Sequence, residues 1–266
     1  MRRNLKRGLG KLGLSNKPHF LIIGAQKSGT SGLYFTLQKH PQVVASIKKE
    51  IHYFDDETWY HKNNLKEYHS YFPLNINFNK NIQCFEATPS YLYHPEVSER
   101  LWNYNKNLKL IVILREPSAR ALSAYIMYHY HFLKGKHTQF YDKREFKDAI
   151  SAEILDLQKG NIITDERGYI ARGLYFEQLI RYYKYFPAEQ MLILESADLK
   201  EKPEINLKKV QSFLGLQEVE LNMEIKNKRQ LNVQDQYKNE LDLLKEYFQP
   251  HNAKLYNFLG INYNWD

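Results

Sequence analysis

Residues 19–31 read His-Phe-Leu-Ile-Ile-Gly-Ala-Gln-Lys-Ser-Gly-Thr-Ser. His19 to Ile23 has the length and apolarity of a short buried strand. Gly24 to Gly29 then supply a turn, and helical spacing from about Thr30 to Lys39 stops before Pro41. A helix that starts from such a turn presents amides with no partner of their own, and its dipole favours an anion there. Lys27 adds a full positive charge, and the hydroxyls of Ser28, Thr30 and Ser31 add donors. An ATP-type loop places its lysine directly after the second glycine of Gly-x4-Gly-Lys-Ser/Thr, with the next hydroxyl on magnesium. Here the lysine stands two residues before Gly29, so that metal-binding arrangement is not formed. The bland alternative is a tight turn whose glycines serve packing alone.

Further along, short apolar runs recur at Ile82 to Phe85, Leu110 to Leu114 and Met191 to Leu194, with helical periodicity between them, notably over 117–133 and 171–186. Strands alternating with helices predict a three-layer α/β fold with a mainly parallel sheet. Ligands of such folds gather beyond the carboxyl ends of the strands, which directs attention to the residues after Ile23, Phe85 and Leu114. After Leu114 comes Arg115-Glu116-Pro117, with Pro117 suited to the first position of a helix that carries Arg120 and Ser123. Arg115 and Ser123 together suit a phosphate monoester. Arg115 capping a carboxylate within the fold is the alternative.

In residue types and order, these two motifs resemble the donor-binding elements of the sulfotransferase superfamily that uses 3′-phosphoadenosine-5′-phosphosulfate. Lys27-Ser28-Gly29-Thr30-Ser31 matches its 5′-phosphosulfate loop, and Arg115-Glu116-Pro117 through Ser123 its 3′-phosphate element. Lys49-Glu50-Ile51-His52-Tyr53-Phe54-Asp55 is similar to the acidic strand segment of the heparan sulfate N- and 3-O-sulfotransferase branch, and Glu86-Ala87-Thr88-Pro89-Ser90-Tyr91 extends the likeness. Arg172-Gly173-Leu174-Tyr175, Phe186-Pro187, Phe213-Leu214-Gly215-Leu216 and Tyr247-Phe248 follow in the family's order, so the resemblance runs from about residue 19 to 266. Ala87 departs from it, because 3-O-sulfating relatives carry a lysine there. The cysteine pair of several secretory-pathway members is also missing, which suits a soluble, bacterial protein.

The resemblance implies the P-loop-NTPase-like sulfotransferase fold in one domain, residues 18–266, after a basic tail, residues 1–17. It implies in-line sulfuryl transfer without a metal, with Lys27 stabilising the departing 3′,5′-adenosine bisphosphate and Glu50 accepting the acceptor's proton. A glutamate merely paired with Lys48 or Lys49 is the alternative for Glu50. His52 shares a face with Glu50 if the segment is extended, where it would orient base or acceptor, or serve structure alone. Glu86 is open between facing the acceptor, pairing with Lys27 and a structural role. Tyr175 lies near the nucleotide by resemblance, or packs. Lys228 and Arg229 match a basic loop over the donor, or form a solvated charge run. His129-x-His131 lacks a third metal ligand nearby.

Composition bounds the partners. The 266 residues carry a net charge of +8 with one cysteine, Cys84. Positive charge favours acidic partners. No nucleic-acid reading motif appears, so the expected partner is an acceptor glycan or small molecule. A lone cysteine forms no internal disulfide, and no apolar run reaches the length of a membrane span or signal peptide, which predicts a cytoplasmic protein. Leu5, Leu9, Leu12 and Leu14 among the basic residues of 1–17 allow a weak peripheral membrane contact, although Gly8, Gly10 and Gly13 favour a loose, solvated tail. Two other function classes stay open on residues alone: a nucleotide-dependent kinase and a non-catalytic module that binds anionic glycans.

Overall fold

The computed structural model describes residues 7–75, 81–131, 138–163, 167–224 and 235–265. Strands β1 (Phe20–Gly24), β2 (Val43–Ala45), β3 (Gln83–Ala87), β4 (Lys109–Leu114) and β5 (Met191–Glu195) form one sheet in the order β2-β3-β1-β4-β5. Every pairing is parallel. The longer helices are α1 (Thr30–Leu37), α2 (Val97–Tyr104), α3 (Pro117–Ile126), α4 (Phe146–Gln158), α5 (Tyr175–Tyr183), α6 (Pro203–Leu214) and α7 (Lys238–Leu259).

Parallel sheets need cover on both faces, which is why these strands read as unbroken apolar runs. Phe20 and Ile22 of β1 share one core with Phe85, Ile111 and Ile113, closed by Leu33 and Leu37 of α1 and by Leu207, Val210 and Leu214 of α6. Leu21, Ile23, Leu110, Val112 and Leu114, which alternate with them, are fully buried on the opposite face. The architecture is the three-layer, mainly parallel α/β fold expected of sulfotransferases.

By its contacts the chain divides into two compact units. The first, Met1–Leu114 with Ile180–Lys226, holds the whole sheet. The second, Arg115–Leu179 with Asn227–Asp266, has its own aromatic core of Tyr125, Tyr128, Phe146, Tyr169, Tyr237 and Phe248.

Three expectations change in detail. The helix expected over 117–133 stops at Ile126 and continues as a π-turn, Met127–His131, while 171–186 is a 3-10 turn, Ala171–Gly173, followed by α5. The basic segment is packed rather than loose from Arg7 onward. Lys11 pairs with Glu67 at 2.9 Å, the Arg7 guanidinium lies 4.2 Å from the Tyr71 ring centroid, and the Asn16 amide donates to the Pro73 carbonyl at 2.8 Å. Gly10 fits so closely that a β-carbon there would sit 2.8 Å from the Ser70 Cα. Finally, residues 49–55 are not extended, since Glu50 and His52 have φ of 59° and 62°. Cys84 is buried in β3, where loss of hydration pushes its thiol up to about 12.

Candidate functional site

In the first unit, β1 ends at Gly24 and the chain turns into α1 through residues 25–29. Lys27 and Gly29 both adopt positive φ, 69° and 102°. For lysine that conformation is uncommon, and left-handed residues in a tight turn aim successive amides toward one point, a geometry that binds anions. Gly29 caps α1 without any side-chain acceptor for its first amides. The Ser28 hydroxyl is fully buried and has no hydrogen-bond partner among the described residues. A buried hydroxyl left unbonded costs stability, so its presence beside a helix start with no side-chain cap fits a phosphate or sulfate oxygen as the missing acceptor. Thr30 is buried and Ser31 half-buried on the first turn. At the end of β5, the Ser196 hydroxyl borders the same loop, 3.9 Å from where a Gly29 β-carbon would stand.

Beside the loop along the sheet, β3 lies next to β1, and Ala87 is in register with Ile22. The Glu50 amide donates to the Ala87 carbonyl at 3.0 Å, which brings the 50–55 segment to the carboxyl edge of the sheet. The Glu50 side chain is 44% exposed, with Lys49 Nζ against Oε1. His52 Nδ1 donates to Asp55 Oδ2 at 2.9 Å, and Ser90 Oγ donates to the same oxygen. Burial depresses the His52 pKa, but the Asp55 hydrogen bond and the charges of Asp55, Glu50 and Glu86 outweigh it and raise the value overall. The same pairing holds Asp55 below its ordinary value despite burial. His52 Nε2 lies on the opposite edge of the ring from this anchor.

Glu86 does not face an acceptor. It is fully buried on β3 and accepts hydroxyl hydrogen bonds from Tyr68 at 2.7 Å, Thr88 at 2.8 Å and Tyr91 at 3.2 Å. Burial raises its pKa, and the three hydroxyls partly offset that shift. The acceptor-facing role gives way to the structural one, because a side chain with no exposed surface cannot touch a substrate.

In the second unit, Glu116 caps α3: its carboxylate accepts from the amides of Ser118 at 2.8 Å and Ala119 at 2.6 Å. Burial lowers the Arg115 pKa. Tyr175 donates its hydroxyl to the Arg115 carbonyl at 2.9 Å, so this tyrosine supports the backbone that carries Arg115. Ser123 is half-buried two turns into α3. Arg120 is fully buried and donates to the carbonyls of Gly168 and Tyr169, while Glu153 accepts from the amides of Tyr169, Ile170 and Ala171 at 2.7 to 3.0 Å. The segment before Tyr175 is thus gripped by a cation on its carbonyls and an anion on its amides.

Lys228 and Arg229 lie outside the described residues. His129 donates Nδ1–H to the Asp142 carbonyl at 2.9 Å. Among the described residues no group of three or more His, Cys, Asp and Glu is placed to hold a metal ion. Asp55 and Ser90, which fix His52, stand within the quoted motifs but received no role from the sequence; the His52-x-x-Asp55 spacing was the available sign of the first, while Ser90 is distant in sequence.

Residues 17–262 match the family model described as Sulfotransferase domain. The chain is 28% identical over 316 residues to the membrane-associated sulfotransferase kil1 of Dictyostelium discoideum, spanning 93% of this chain and 66% of kil1. Heparan sulfate glucosamine 3-O-sulfotransferase 5 of Homo sapiens is 30% identical over 271 residues, spanning 93% of this chain and 74% of that protein. In fold, the chain is similar to a crystal structure of a sulfotransferase from Alicyclobacillus acidocaldarius, with a TM-score of 0.69 at 22% identity over 94% of this chain and 99% of the other. The expected cytoplasmic placement is overturned by kil1, a relative along nearly the whole chain that is membrane-associated. A single buried cysteine and, among the described residues, the lack of a helix long and apolar enough to cross a membrane do not fix a compartment. The match over 17–262 takes in the whole sheet, the loop after β1 and the Arg115 element, and by it this chain belongs to the sulfotransferase domain family.

Proposed function

We propose that this chain transfers the sulfuryl group of 3′-phosphoadenosine-5′-phosphosulfate to a hydroxyl or amine, with a carbohydrate as the acceptor class. One arrangement supports the reading most. Glu50 is tied by its amide to the end of β3, and β3 neighbours the strand from which the left-handed Lys27–Gly29 turn emerges. An anion-binding loop and a carboxylate at the same edge of a parallel sheet suit a group transfer in which one end of the donor is held and an incoming nucleophile loses a proton.

Each residue has a defined task in that reading. The amides after Gly29 and the hydroxyls of Ser28, Thr30 and Ser31 hold the phosphosulfate end. Lys27 neutralises charge that grows on the leaving oxygen, the kind of stabilisation that counts most in a loose transition state. Arg115 and Ser123 are the residues proposed for the 3′-phosphate, on the resemblance of their motif. Glu50 accepts the proton of the acceptor through the carboxylate oxygen that Lys49 leaves open. His52, fixed through Nδ1 by Asp55, turns Nε2 toward acceptor or base. Ala87 is fully buried and its carbonyl holds Glu50, so the lysine that 3-O-sulfating relatives carry has no counterpart at this position. The heparan sulfate names of several relatives support a carbohydrate acceptor, and heparan sulfate is the first acceptor to try.

Calorimetric titration with 3′,5′-adenosine bisphosphate and, separately, with ATP and magnesium tests the donor class. Tight binding of the bisphosphate alone, weakened in both Lys27→Ala and Arg115→Ala, is expected. Preference for ATP with magnesium would move the chain to the kinases, and binding of neither would favour a non-catalytic glycan-binding module. Glu50→Gln should lower transfer from radiolabelled donor by about a hundredfold to ten-thousandfold while leaving bisphosphate affinity unchanged.

A further inference from the structure

The segment that carries Glu50 and His52 contains two non-glycine residues in the left-handed region, a conformation that persists only when its surroundings over-determine it. Its backbone is accordingly held at several points. The Glu50 amide is bound by Ala87, and the Phe54 carbonyl accepts from Arg100 Nη1 at 2.8 Å. Between these anchors, the amides of Tyr53 and Phe54 both donate to one atom, the Tyr91 hydroxyl oxygen, at 3.1 and 3.4 Å. That hydroxyl donates its own proton to Glu86 Oε1, the same oxygen that receives Tyr68. A phenol has one proton to give and two lone pairs to fill, so all of Tyr91's capacity is used.

The turn bearing Tyr91 is also rigid. The Thr88 amide donates to Ile22 and the Leu92 amide to Ile23, both on β1. Tyr182 donates its hydroxyl to the Tyr91 carbonyl at 2.7 Å, and Arg181 Nη2 donates to the Tyr93 carbonyl at 2.8 Å. Ser90, one residue earlier, reaches Asp55 and so fixes His52. One turn therefore holds the 50–55 segment by backbone through Tyr91 and by side chain through Ser90.

We propose that Tyr91, backed by the buried carboxylate of Glu86, is a positioning residue that sets the left-handed backbone presenting Glu50 and His52. This rests on the reading of Glu50 as the base. Tyr91 is fully buried and touches no substrate; its effect passes through the amides of Tyr53 and Phe54. The phosphate loop does not use the hydroxyl, so donor binding is independent of it.

Tyr91→Phe removes the hydroxyl and keeps the ring. Expected results are faster hydrogen exchange in the 50–55 peptide, bisphosphate affinity within about twofold of wild type, and transfer to heparan sulfate lowered by about tenfold to a hundredfold, the scale of a misplaced catalytic group. In a Glu50→Gln background, Tyr91→Phe should cost much less than it does alone, because the base is gone and only His52 is left to position. Losses that multiply, or a fall in bisphosphate affinity alongside turnover, would overturn the proposal in favour of general support of the sheet edge. Unchanged exchange would overturn it as well. If Glu50→Gln alone retains full transfer, the base assignment fails, and the exchange of 50–55 still decides whether Tyr91 holds the loop. Should heparan sulfate not be accepted, release of bisphosphate from the donor into water replaces it as the turnover readout. Should Tyr91→Phe not fold, Glu86→Gln, whose neutral amide accepts the Tyr91 and Tyr68 protons more weakly than a carboxylate, takes its place with changes in the same directions and of smaller size.

Discussion

The His52–Asp55 pair ties a titration to a place in the chain. His52 lies above its ordinary value of 6.5, so its contribution to stability is fully present below that pH and is lost as pH rises through the raised value. Asp55 lies below its ordinary 3.8, so its contribution is present above that pH and fades as pH falls through the lowered value. Asp55→Asn should therefore lower the His52 pKa, seen by NMR titration of the ring proton, and flatten this part of the pH profile. Gly24 gives a purely steric expectation. A β-carbon there would meet the Leu92 Cβ at 2.5 Å, so Gly24→Ala should cost about 1–3 kcal/mol in denaturant unfolding. Single residues were unevenly legible. Lys27 and Gly29 declared themselves through glycine spacing at a strand end. For Glu50 and His52 a shared face depended on the segment being extended, and it is not: both adopt positive φ in a backbone held by Tyr91, Ala87 and Arg100 from elsewhere in the chain. Glu86 stayed open among three roles for a related reason: only packing reveals that three hydroxyls enclose it.

Elements were legible in proportion to how far local chemistry decides them. Strands β1, β4 and β5 were read to within a residue or so because a strand buried on both faces is a continuous apolar run. Strand β2, three residues long, carries no such signal and exists through its pairing with β3. The start of α3 was evident from Pro117, which needs no amide partner in a first turn. Its cap was less so, since Glu116 serves where serine or aspartate is usual. Glu116→Ala should cost about 1 kcal/mol through loss of that cap, and Glu116→Asp should recover part of it, both measurable in urea. In α4 the effect is larger. Glu153 binds three amides near the buried Arg120, so Glu153→Ala should destabilise by about 3–5 kcal/mol, the scale of an orphaned buried charge.

For the whole molecule, composition indicated an acidic partner through the charge of +8, but not which one, because long-range attraction carries sign and little shape. A ligand that binds only the folded chain raises its stability by mass action, about 2.7 kcal/mol at a hundredfold excess over Kd. Bisphosphate at that level should raise Tm, ATP with magnesium should not, and Lys27→Ala should blunt the shift at the same concentration. The buried thiol of Cys84 gives the protein a built-in reporter of opening. It is the chain's only cysteine, it lies within β3 between β2 and β1, and in the folded state it is shielded from water with its proton tightly kept. Any thiol reagent that labels the protein must therefore wait for the sheet itself to part, so the labelling rate counts openings of the scaffold without a cysteine having to be engineered.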